Sequence, residues 1–365
     1  MDVLYDYQTF INQKFGGISR YFAELMTRLP RGYEFHNPVV LSSNVYLKSV
    51  PGMGLATMWA PRFMKKWKRM HKINKCICRQ VLRHGKYDIF HPTYYDSYFL
   101  DSVKSPYVIT VHDLTYEKYP EMLPQNDGTA ENMRLTIKNA SRIIAISHNT
   151  KRDLMELYGL PDDKIDVVYQ GYGLDTSRVE IVPELAERFI LYVGGRLGYK
   201  NFARFCEAFA IIRAKHPDIE LVCTGTPFDN DEQAMLDRLG ISGCSRSIFV
   251  SEPQLTWLYR HALCFVYPSL YEGFGIPILE AFATGCPVVL SDASCFPEVA
   301  QDGGRYFNPE DAGSIASAIE DVITDDALRD RLVTRGSEIV KSFSWERVAA
   351  ETAQVYSRAL SQNPA

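Results

Sequence analysis

The chain reads S-L-Y-E-G-F-G-I-P-I-L-E-A-F-A-T-G-C-P-V-V from Ser269 to Val289, and no other stretch is as informative. The apolar run 262–267 before it has the length of a buried strand. The periodic run from Ile276 to Phe282 after it suits a helix that Pro277 can begin. The stretch therefore predicts a strand, a glycine-rich loop and a helix.

Two carboxylates, Glu272 and Glu280, flank this loop. Gly273 and Gly275 let the backbone approach a ligand closely, and the N-terminus of the following helix attracts an anion such as a diphosphate. A carboxylate beside phosphates serves better as an acceptor for hydroxyl groups. The pattern therefore indicates a nucleotide-sugar site, with Glu272 bound to the hexose hydroxyls and Glu280 to the ribose.

The loop with its two glutamates resembles the E-x7-E element of the family-4 retaining glycosyltransferases. Three further segments match that family in the expected order along the chain. They are the glycine-rich loop K-F-G-G-I-S-R-Y (14–21), the segment T-V-H-D-L (110–114) and the basic loop Y-V-G-G-R (192–196) continuing to Lys200 and Asn201. The resemblance covers about residues 1 to 360.

This resemblance implies the GT-B fold, an α/β architecture of two facing Rossmann-like, doubly wound parallel-sheet domains with a cleft between them. The expected divisions are an N-terminal acceptor-binding domain (1–178), a C-terminal nucleotide-sugar-binding domain (179–343) and a last helix (344–365) that crosses back to the first domain. A hinge is expected near 175–187, and Ser344 is the expected N-cap of the last helix.

Alternation of short apolar runs with amphipathic runs also favours parallel sheets whose ligands bind beyond the carboxyl ends of the strands. The first half predicts strands at 3–5, 39–41, 89–91, 107–111, 142–146 and 166–169, and helices at 18–29, 63–82 and 149–158. The second half predicts strands at 189–193, 219–223, 248–250, 263–267 and 287–290.

The family resemblance assigns roles to individual residues. Arg196 and Lys200 would balance the charge that grows on the leaving diphosphate, although Gly195 displaces the arginine by one position from its place in many members. His112 would orient the donor sugar, and no metal is expected. The expected catalytic residues are thus His112, Glu272, Arg196 and Lys200. The expected nucleotide-sugar contacts are Gly16, Gly17, Gly194, Arg196, Lys200, Val250, Ser251, Leu255, Glu272, Gly273, Phe274, Gly275, Ile276 and Glu280.

A second motif, Asp229-Asn230-Asp231, matches the D-x-D pattern by which another glycosyltransferase fold binds a divalent metal. It follows a predicted strand and precedes a predicted helix, where Asp residues cap the positive end. We therefore interpret the triplet as a helix cap. No cofactor is expected beyond the donor substrate, for which GDP-mannose is the first candidate, because the glycine-rich loops look most like those of bacterial enzymes that build O-antigen or exopolysaccharide.

Residues 62–86 form a basic segment. They contain ten Lys or Arg, while no Asp or Glu occurs from Phe35 to Tyr87. An apolar stripe of Phe63, Trp67, Met70, Ile77 and Val81 predicts a helix packed on the core by that face. Basic side chains near an anionic leaflet contribute about 1 kcal/mol each, so this segment predicts peripheral membrane contact, as an enzyme with a lipid-linked acceptor would need.

Composition is compatible with this interpretation. The chain has 365 residues, 46% of them hydrophobic, which suits two α/β domains, and the net charge of −4 argues against general nucleic-acid binding. Eight scattered cysteines indicate reduced thiols, and the N-terminus shows no leader sequence, so a cytoplasmic location is expected. Two alternatives stay open: a sugar-nucleotide 2-epimerase, which would convert a free sugar-nucleotide, and an inactive scaffold, which would need neither glutamate nor Lys200.

Overall fold

The computed structural model describes residues 1–53, 66–122 and 128–361. These residues form two compact units, one of residues 1–171 with 344–361 and the other of residues 172–343. The boundary between the units lies at Gly171–Tyr172, seven residues before the boundary expected from the sequence. Each unit is an α/β structure built on parallel strands, which confirms the predicted fold class.

Among its described residues the first unit has six strands in the order β2-β1-β3-β4-β5-β6, in which a parallel bridge between Phe90 and Tyr107 joins two three-stranded sheets. The strands are β1 (Asp2–Tyr5), β2 (Glu34–His36), β3 (Ile89–His91), β4 (Val108–Val111), β5 (Arg142–Ala145) and β6 (Ile165–Val167). The helices are α1 (Gln8–Asn12), α2 (Gly17–Thr27), α3 (Trp67–His84), α4 (Thr115–Lys118), α5 (Thr129–Asn139) and α6 (His148–Tyr158).

The second unit has a single parallel sheet in the order β12-β11-β10-β7-β8-β9. Its strands are β7 (Phe189–Tyr192), β8 (Glu220–Thr224), β9 (Ser245–Ile248), β10 (Cys264–Tyr267), β11 (Val288–Ser291) and β12 (Gly304–Phe307). Its helices are α7 (Phe202–Lys215), α8 (Asn230–Arg238), α9 (Glu252–His261), α10 (Ile276–Thr284), α11 (Phe296–Ala300), α12 (Ala312–Thr324) and α13 (Asp326–Ile339).

The last helix, α14 (Trp345–Ser361), packs within the first unit. Ser344 Oγ accepts a hydrogen bond from Arg347 N at 3.2 Å, so Ser344 is the N-cap, as predicted. The Tyr356 hydroxyl lies 2.8 Å from the Tyr5 hydroxyl and 2.7 Å from His91 Nδ1, in the core beside β1 and β3. The chain thus returns to its first unit for its last helix.

In both sheets the order of the strands reverses at one point. In the first unit the strand order runs outward from β1 on one side and from β3 on the other, and in the second unit from β7 and from β10. A crevice forms beyond the carboxyl ends of the strands at such a switch point, and α/β proteins bind their ligands there. The loops that follow β1, β3, β7 and β10 are therefore the places to look for sites.

Two predicted strands differ from the structure, and two observed strands, β2 and β12, were not predicted. The strand expected at 39–41 is irregular, because the buried side chain of Asn74 occupies its backbone: Oδ1 accepts from Val40 N and Leu41 N, and Nδ2 donates to Leu41 O at 2.7 Å. The true edge strand, β2, is polar and partly exposed. The strand expected at 248–250 ends at Ile248.

The apolar stripe predicted for the helix at 63–82 is right for Met70 and wrong for Trp67. The side chains that α3 buries are Met70, Asn74, Cys78 and Leu82, whereas Trp67 is 50% exposed. Phe63, Arg62 and Lys65, which belong to the same predicted segment, lie outside the described residues.

Candidate active site

An ion pair joins the two loops at the switch point of the second sheet. Lys200 follows β7 and Glu272 follows β10, and Lys200 Nζ lies 2.5 Å from Glu272 Oε1. The same oxygen accepts a hydrogen bond from Ser269 Oγ at 2.8 Å. The two side chains are only 19% and 12% exposed, so their attraction is weakly screened by solvent. The structure therefore brings together two residues that lie 72 positions apart and that the sequence assigned to one site.

Backbone geometry holds the two loops in place. Asn201 adopts a left-handed conformation with φ 58°, which Asn tolerates better than most residues. Its amide Nδ2 donates to Pro268 O at 3.1 Å and to Pro309 O at 2.7 Å. Leu270 N also donates to Tyr199 O at 2.8 Å. The loop after β7 is thereby tied to the loop after β10, which fixes the distance between Lys200 and Glu272.

Ser294 fixes the backbone of Glu272 from the other side. Its hydroxyl donates to Glu272 O at 2.6 Å and accepts from Glu272 N at 3.1 Å. Sequence reasoning did not single out Ser269 or Ser294. Nothing in a short stretch of sequence marks a serine whose partner is 22 residues away.

The glycine-rich loop leads into α10 as predicted. Gly275 is the N-cap of this helix with φ 95°, a conformation that favours glycine. A Cβ at this position would also lie 3.0 Å from Ile278 Cδ1 and 3.2 Å from Phe296 Cε1. The first turn of α10 therefore follows the Glu272 loop directly. Pro277 has no N–H and Ile278 N donates to Gly275 O at 3.0 Å, so the Ile276 N–H and the positive end of the helix dipole are what this terminus offers an anion.

Glu280 lies in the second turn of α10, where Tyr259 Oη donates to Glu280 Oε2 at 3.3 Å. Burial raises the pKa of Tyr259 well above its usual value, and the charge of Glu280 raises it further. Tyr259 is therefore a neutral hydrogen-bond donor to the carboxylate. Phe274 is buried and packs edge-on against Phe343, with the ring centroids 5.8 Å apart.

Arg196 makes contacts of a different kind from those expected. Its side chain is 6% exposed and forms a two-point ion pair with Glu232, with Nε to Oε1 at 2.6 Å and Nη2 to Oε2 at 3.1 Å. Further hydrogen bonds reach Ser247 Oγ, Thr226 O and Pro227 O. Burial lowers the pKa of Arg196, the bond to Glu232 raises it, and the net shift is upward. The guanidinium is therefore fully engaged inside the second unit, and its predicted contact with a diphosphate stays a prediction.

The Asp229 triplet has the local structure that the sequence predicted. Asp229 is the N-cap of α8, with Oδ1 accepting from Glu232 N at 2.9 Å, while Glu232 Oε2 accepts from Asp229 N at 3.0 Å. This reciprocal capping box is completed by the same Glu232 that binds Arg196. The sequence also predicted a loop at Gly194, which lies two residues after β7 and has φ 120°, a conformation that favours glycine.

The segment expected to contact the base begins α9. Ser251 is its N-cap and forms a capping box with Gln254. Val250 and Leu255 are half-buried beside it. Phe249, which the sequence assigned to a strand, is 84% exposed next to them. Sequence reasoning placed Phe249 inside a strand and did not predict its exposure.

Gly16 and Gly17 open α2 in the first unit. Gly16 is the N-cap, and Gln13 Oε1 accepts a hydrogen bond from Ser19 N at 3.0 Å. A Cβ on Gly16 would lie 2.4 Å from that Gln13 oxygen. A side chain at position 16 would therefore displace the Gln13 amide, which caps the first turn of α2.

His112 follows β4 in the first unit and is buried. Its backbone N–H donates to the Tyr95 hydroxyl at 3.2 Å, and its ring meets the Tyr21 ring edge-on at 5.1 Å. Its Nε2 is buried and has no hydrogen-bond partner among the described residues. Burial lowers the pKa of His112 to about 4. A neutral imidazole with an unused nitrogen can orient a hydroxyl group by a hydrogen bond.

Comparison with known proteins identifies the family. Residues 15–176 match the model of Glycosyltransferase Family 4, and residues 175–338 match the model of Glycosyl transferases group 1. The two matches together span most of the chain. The chain therefore belongs to the family-4 type of glycosyltransferases.

Curated relatives include O-antigen chain mannosyltransferase B of Escherichia coli, with 27% identity over 93% of this chain and 95% of that protein. O-antigen chain mannosyltransferase RfbU of Salmonella typhimurium is 30% identical over 59% of this chain and 60% of that protein. Among solved structures, sucrose-phosphate synthase from Thermosynechococcus elongatus has a TM-score of 0.74 at 19% identity, covering 99% of both chains. HepE of Anabaena, in complex with UDP and glucose, has a TM-score of 0.73 at 17% identity, covering 98% of this chain and 99% of that chain. These structures share the GT-B fold.

The buried state of His112 gives a testable pH dependence. Because its folded-state pKa is about 4 and its ordinary value is 6.5, the unfolded chain binds the proton more readily between these pH values. We expect His112 to add roughly 3 kcal/mol to the free energy of unfolding above pH 6.5, an amount lost as the pH falls toward 4. The His112 ring resonance, assigned by its loss in His112→Gln, should not shift in NMR spectra between pH 7.5 and 5.5. A shift in that interval would show an ordinary, solvated histidine.

Proposed function

We propose that the protein is a retaining hexosyltransferase that moves a sugar from a nucleoside diphosphate to a glycan acceptor. The observation that carries this proposal is the Lys200–Glu272 pair at the switch point of the second sheet, beside the N-terminus of α10. The pair supplies one cation and one carboxylate to the same small space. A sugar diphosphate needs both, because its phosphates are anionic and its sugar carries hydroxyl donors.

In this proposal Lys200 and the positive N-terminal end of α10 bind the diphosphate, and Glu272 accepts hydrogen bonds from the sugar. Glu280 accepts from the ribose. The bond between the anomeric carbon and the diphosphate oxygen breaks, and the acceptor oxygen bonds to that carbon on the same face. The acceptor proton passes to the departing phosphate. Lys200 stabilises the charge that develops on the leaving group, which is how fixed charges lower such a barrier.

We further propose mannose from GDP-mannose as the donor. Two relatives named as O-antigen mannosyltransferases support the choice of sugar. The base would lie near Val250, Ser251 and Leu255 at the start of α9. The UDP bound to the Anabaena protein belongs to a structure that shares only the fold, so it does not decide between nucleotides.

Substitution of the two glutamates should affect sugar transfer and nucleotide affinity differently. Glu272→Gln removes the anion that pairs with Lys200 and leaves the ammonium available to phosphate. We therefore expect transfer to be lost while the affinity for the nucleoside diphosphate is retained or raised. Glu280→Gln should weaken that affinity by roughly 10-fold or more, since a hydrogen bond to a charged group contributes about 1.5–3 kcal/mol. Calorimetric titration with GDP, UDP and ADP measures both effects. Equal affinities of the two variants would contradict the division of roles.

Independence from metal is a further prediction. Because Lys200 and the N-terminus of α10 would balance the leaving diphosphate, we expect transfer to survive EDTA and to change little on adding magnesium or manganese. The assay is donor consumption with and without chelator, in the wild type and in an Asp229→Asn, Asp231→Asn variant. Loss of wild-type activity with EDTA and recovery with manganese would contradict metal independence, and absence of that recovery in the double variant would assign the metal to Asp229 and Asp231.

Membrane contact through α3 is also a proposal, in a narrower form than the sequence suggested. No helix among the described residues is long and apolar enough to cross a bilayer. Two basic residues of this segment have acidic partners. Lys75 Nζ lies 3.1 Å from Oδ2 of Asp96, in the loop after β3, and Arg79 Nη2 lies 3.8 Å from Asp101 Oδ2. Within the described part of the chain, the exposed lysines of this segment without an acidic partner include Lys66, Lys68 and Lys72.

Salt-sensitive binding to anionic liposomes tests this proposal. Since cationic attraction is screened over about 8 Å at physiological ionic strength, sedimentation with anionic vesicles should fall as salt rises and should be absent with neutral vesicles. Replacing Lys66, Lys68 and Lys72 by Gln should reduce it. Replacing the exposed lysines 48, 138 and 341 by Gln is the matched control and should have little effect. Equal loss in both triple variants would indicate only a general charge effect.

A further inference from the structure

Five buried side chains in the core of the first unit are linked by hydrogen bonds. The Tyr5 hydroxyl lies 2.8 Å from the Tyr356 hydroxyl, which lies 2.7 Å from His91 Nδ1. On the other side of the imidazole, His91 Nε2 lies 3.0 Å from Thr110 Oγ1, which lies 3.4 Å from the Tyr21 hydroxyl. We call these five side chains the hydroxyl–imidazole network. It joins β1, β3 and β4 to α2 and to the last helix, α14.

The hydroxyl–imidazole network occupies a place where apolar side chains would be the simpler filling. Its two end tyrosines, His91 and Tyr356 are fully buried, and Thr110 is 3% exposed. Because a buried polar group without a partner is costly, each member of such a network restricts the orientation of its neighbours. Burial lowers the pKa of His91 to about 3, so its imidazole is neutral. One of its nitrogens then donates and the other accepts, which couples the Tyr356 hydroxyl to that of Thr110.

Thr110 connects this network to His112, two residues further along the chain. The hydroxyl of Thr110 binds that of Tyr21, whose ring meets the His112 imidazole edge-on, with 5.1 Å between the centroids and 89° between the planes. The carbonyl oxygen of Thr110 accepts from the Tyr95 hydroxyl at 3.4 Å, and that hydroxyl accepts in turn from His112 N. The ring and the backbone of His112 therefore both contact residues that Thr110 binds.

The direction of the His112 ring depends on this packing. Its Nε2 has no hydrogen-bond partner within residues 1–53, 66–122 and 128–361, so no such bond fixes where that nitrogen points. The ring packs instead against Tyr21 and Phe22, and the Phe22 ring also meets the His91 ring edge-on, with 5.1 Å between the centroids. A displacement of Tyr21 or His91 would therefore turn the nitrogen that is expected to meet the donor sugar.

We infer that His91, Thr110 and Tyr356 are positioning residues for His112, an inference that rests on the role of His112 in the proposed transfer. Through the Tyr356 hydroxyl, α14 fixes the orientation of an imidazole at the end of β3, and Thr110 extends that constraint to the loop after β4. The return of the polypeptide to its first unit thus contributes to the geometry around His112 as well as to the core.

Tyr356→Phe tests the inference, because it removes one hydroxyl and keeps the ring that packs edge-on against His91. Without that partner for His91 Nδ1, we expect the His112 ring resonances, assigned by their loss in His112→Gln, to shift in NMR spectra at pH 7.5. We also expect kcat for transfer to fall by about two- to tenfold, the equivalent of one neutral hydrogen bond. The affinity for the nucleoside diphosphate should stay unchanged. Unmoved His112 resonances would overturn the inference.

Tyr33→Phe is the matched control, since the Tyr33 hydroxyl also binds α14 but lies outside the network. It donates to Ala353 O at 3.0 Å and lies 2.9 Å from Ser357 Oγ. We expect the His112 resonances and kcat to stay as in the wild type. A lower melting temperature of Tyr356→Phe with the resonances in place would reduce the network to a packing feature. Equal shifts in both variants would indicate only a general loosening of α14, and either result would contradict the inference.

Thr110→Val and Thr110→Ser give a second test within β4. Val keeps the shape of Thr without its hydroxyl, whereas Ser keeps the hydroxyl without the methyl group. We expect the His112 resonances to shift in Thr110→Val and to stay near their wild-type positions in Thr110→Ser, and the reverse would count against the inference. Because the NMR measurement needs no turnover, failure of the proposed function is distinguishable: transfer would be absent while the His112 response stays intact.

Discussion

The contact between Lys200 Nζ and Glu272 Oε1 is the constraint on which the candidate active site depends. It joins the loops after β7 and β10, which meet at the switch point of the second sheet, and both side chains are only slightly exposed. A buried ion pair contributes little net stability, because desolvation of both charges offsets their attraction. Its value here is positional: a cation and a carboxylate are held within one hydrogen bond of each other, ready for a ligand that carries phosphate at one end and hydroxyls at the other.

The surroundings of the pair explain how it is held. Asn201 and Ser294, both in left-handed backbone conformations, bind the loops on either side of it. Strained conformations of this kind persist where neighbouring bonds over-determine them, and such places are often functional. Asp6 has the corresponding part in the first unit, where its carboxylate accepts from the backbone N–H of Thr93 and joins the loops after β1 and β3. Each unit therefore carries a cross-linked pair of loops at its switch point.

Much of the fold and of the site could be predicted because their signals are local. A few neighbouring residues are enough to predict the glycine-rich turn before α10, the short buried strands and the Ser344 cap. The predictions that failed depend on the surroundings of a residue in the fold, which its neighbours in sequence do not show. Edge strands β2 and β9 are polar because one side faces solvent, and the segment 39–41 is bound by Asn74. Glu232, the partner of Arg196, and Asp96, the partner of Lys75, lie 36 and 21 residues from the residues they bind.

The most direct test of the central claim is a crystal structure of the protein with the nucleoside diphosphate that binds it most tightly. We expect a phosphate oxygen within hydrogen-bond distance of Lys200 Nζ and against the N-terminal end of α10 at Ile276, with the ribose at Glu280. A diphosphate bound elsewhere, with the contact between Lys200 and Glu272 unchanged and the first turn of α10 empty, would contradict the account.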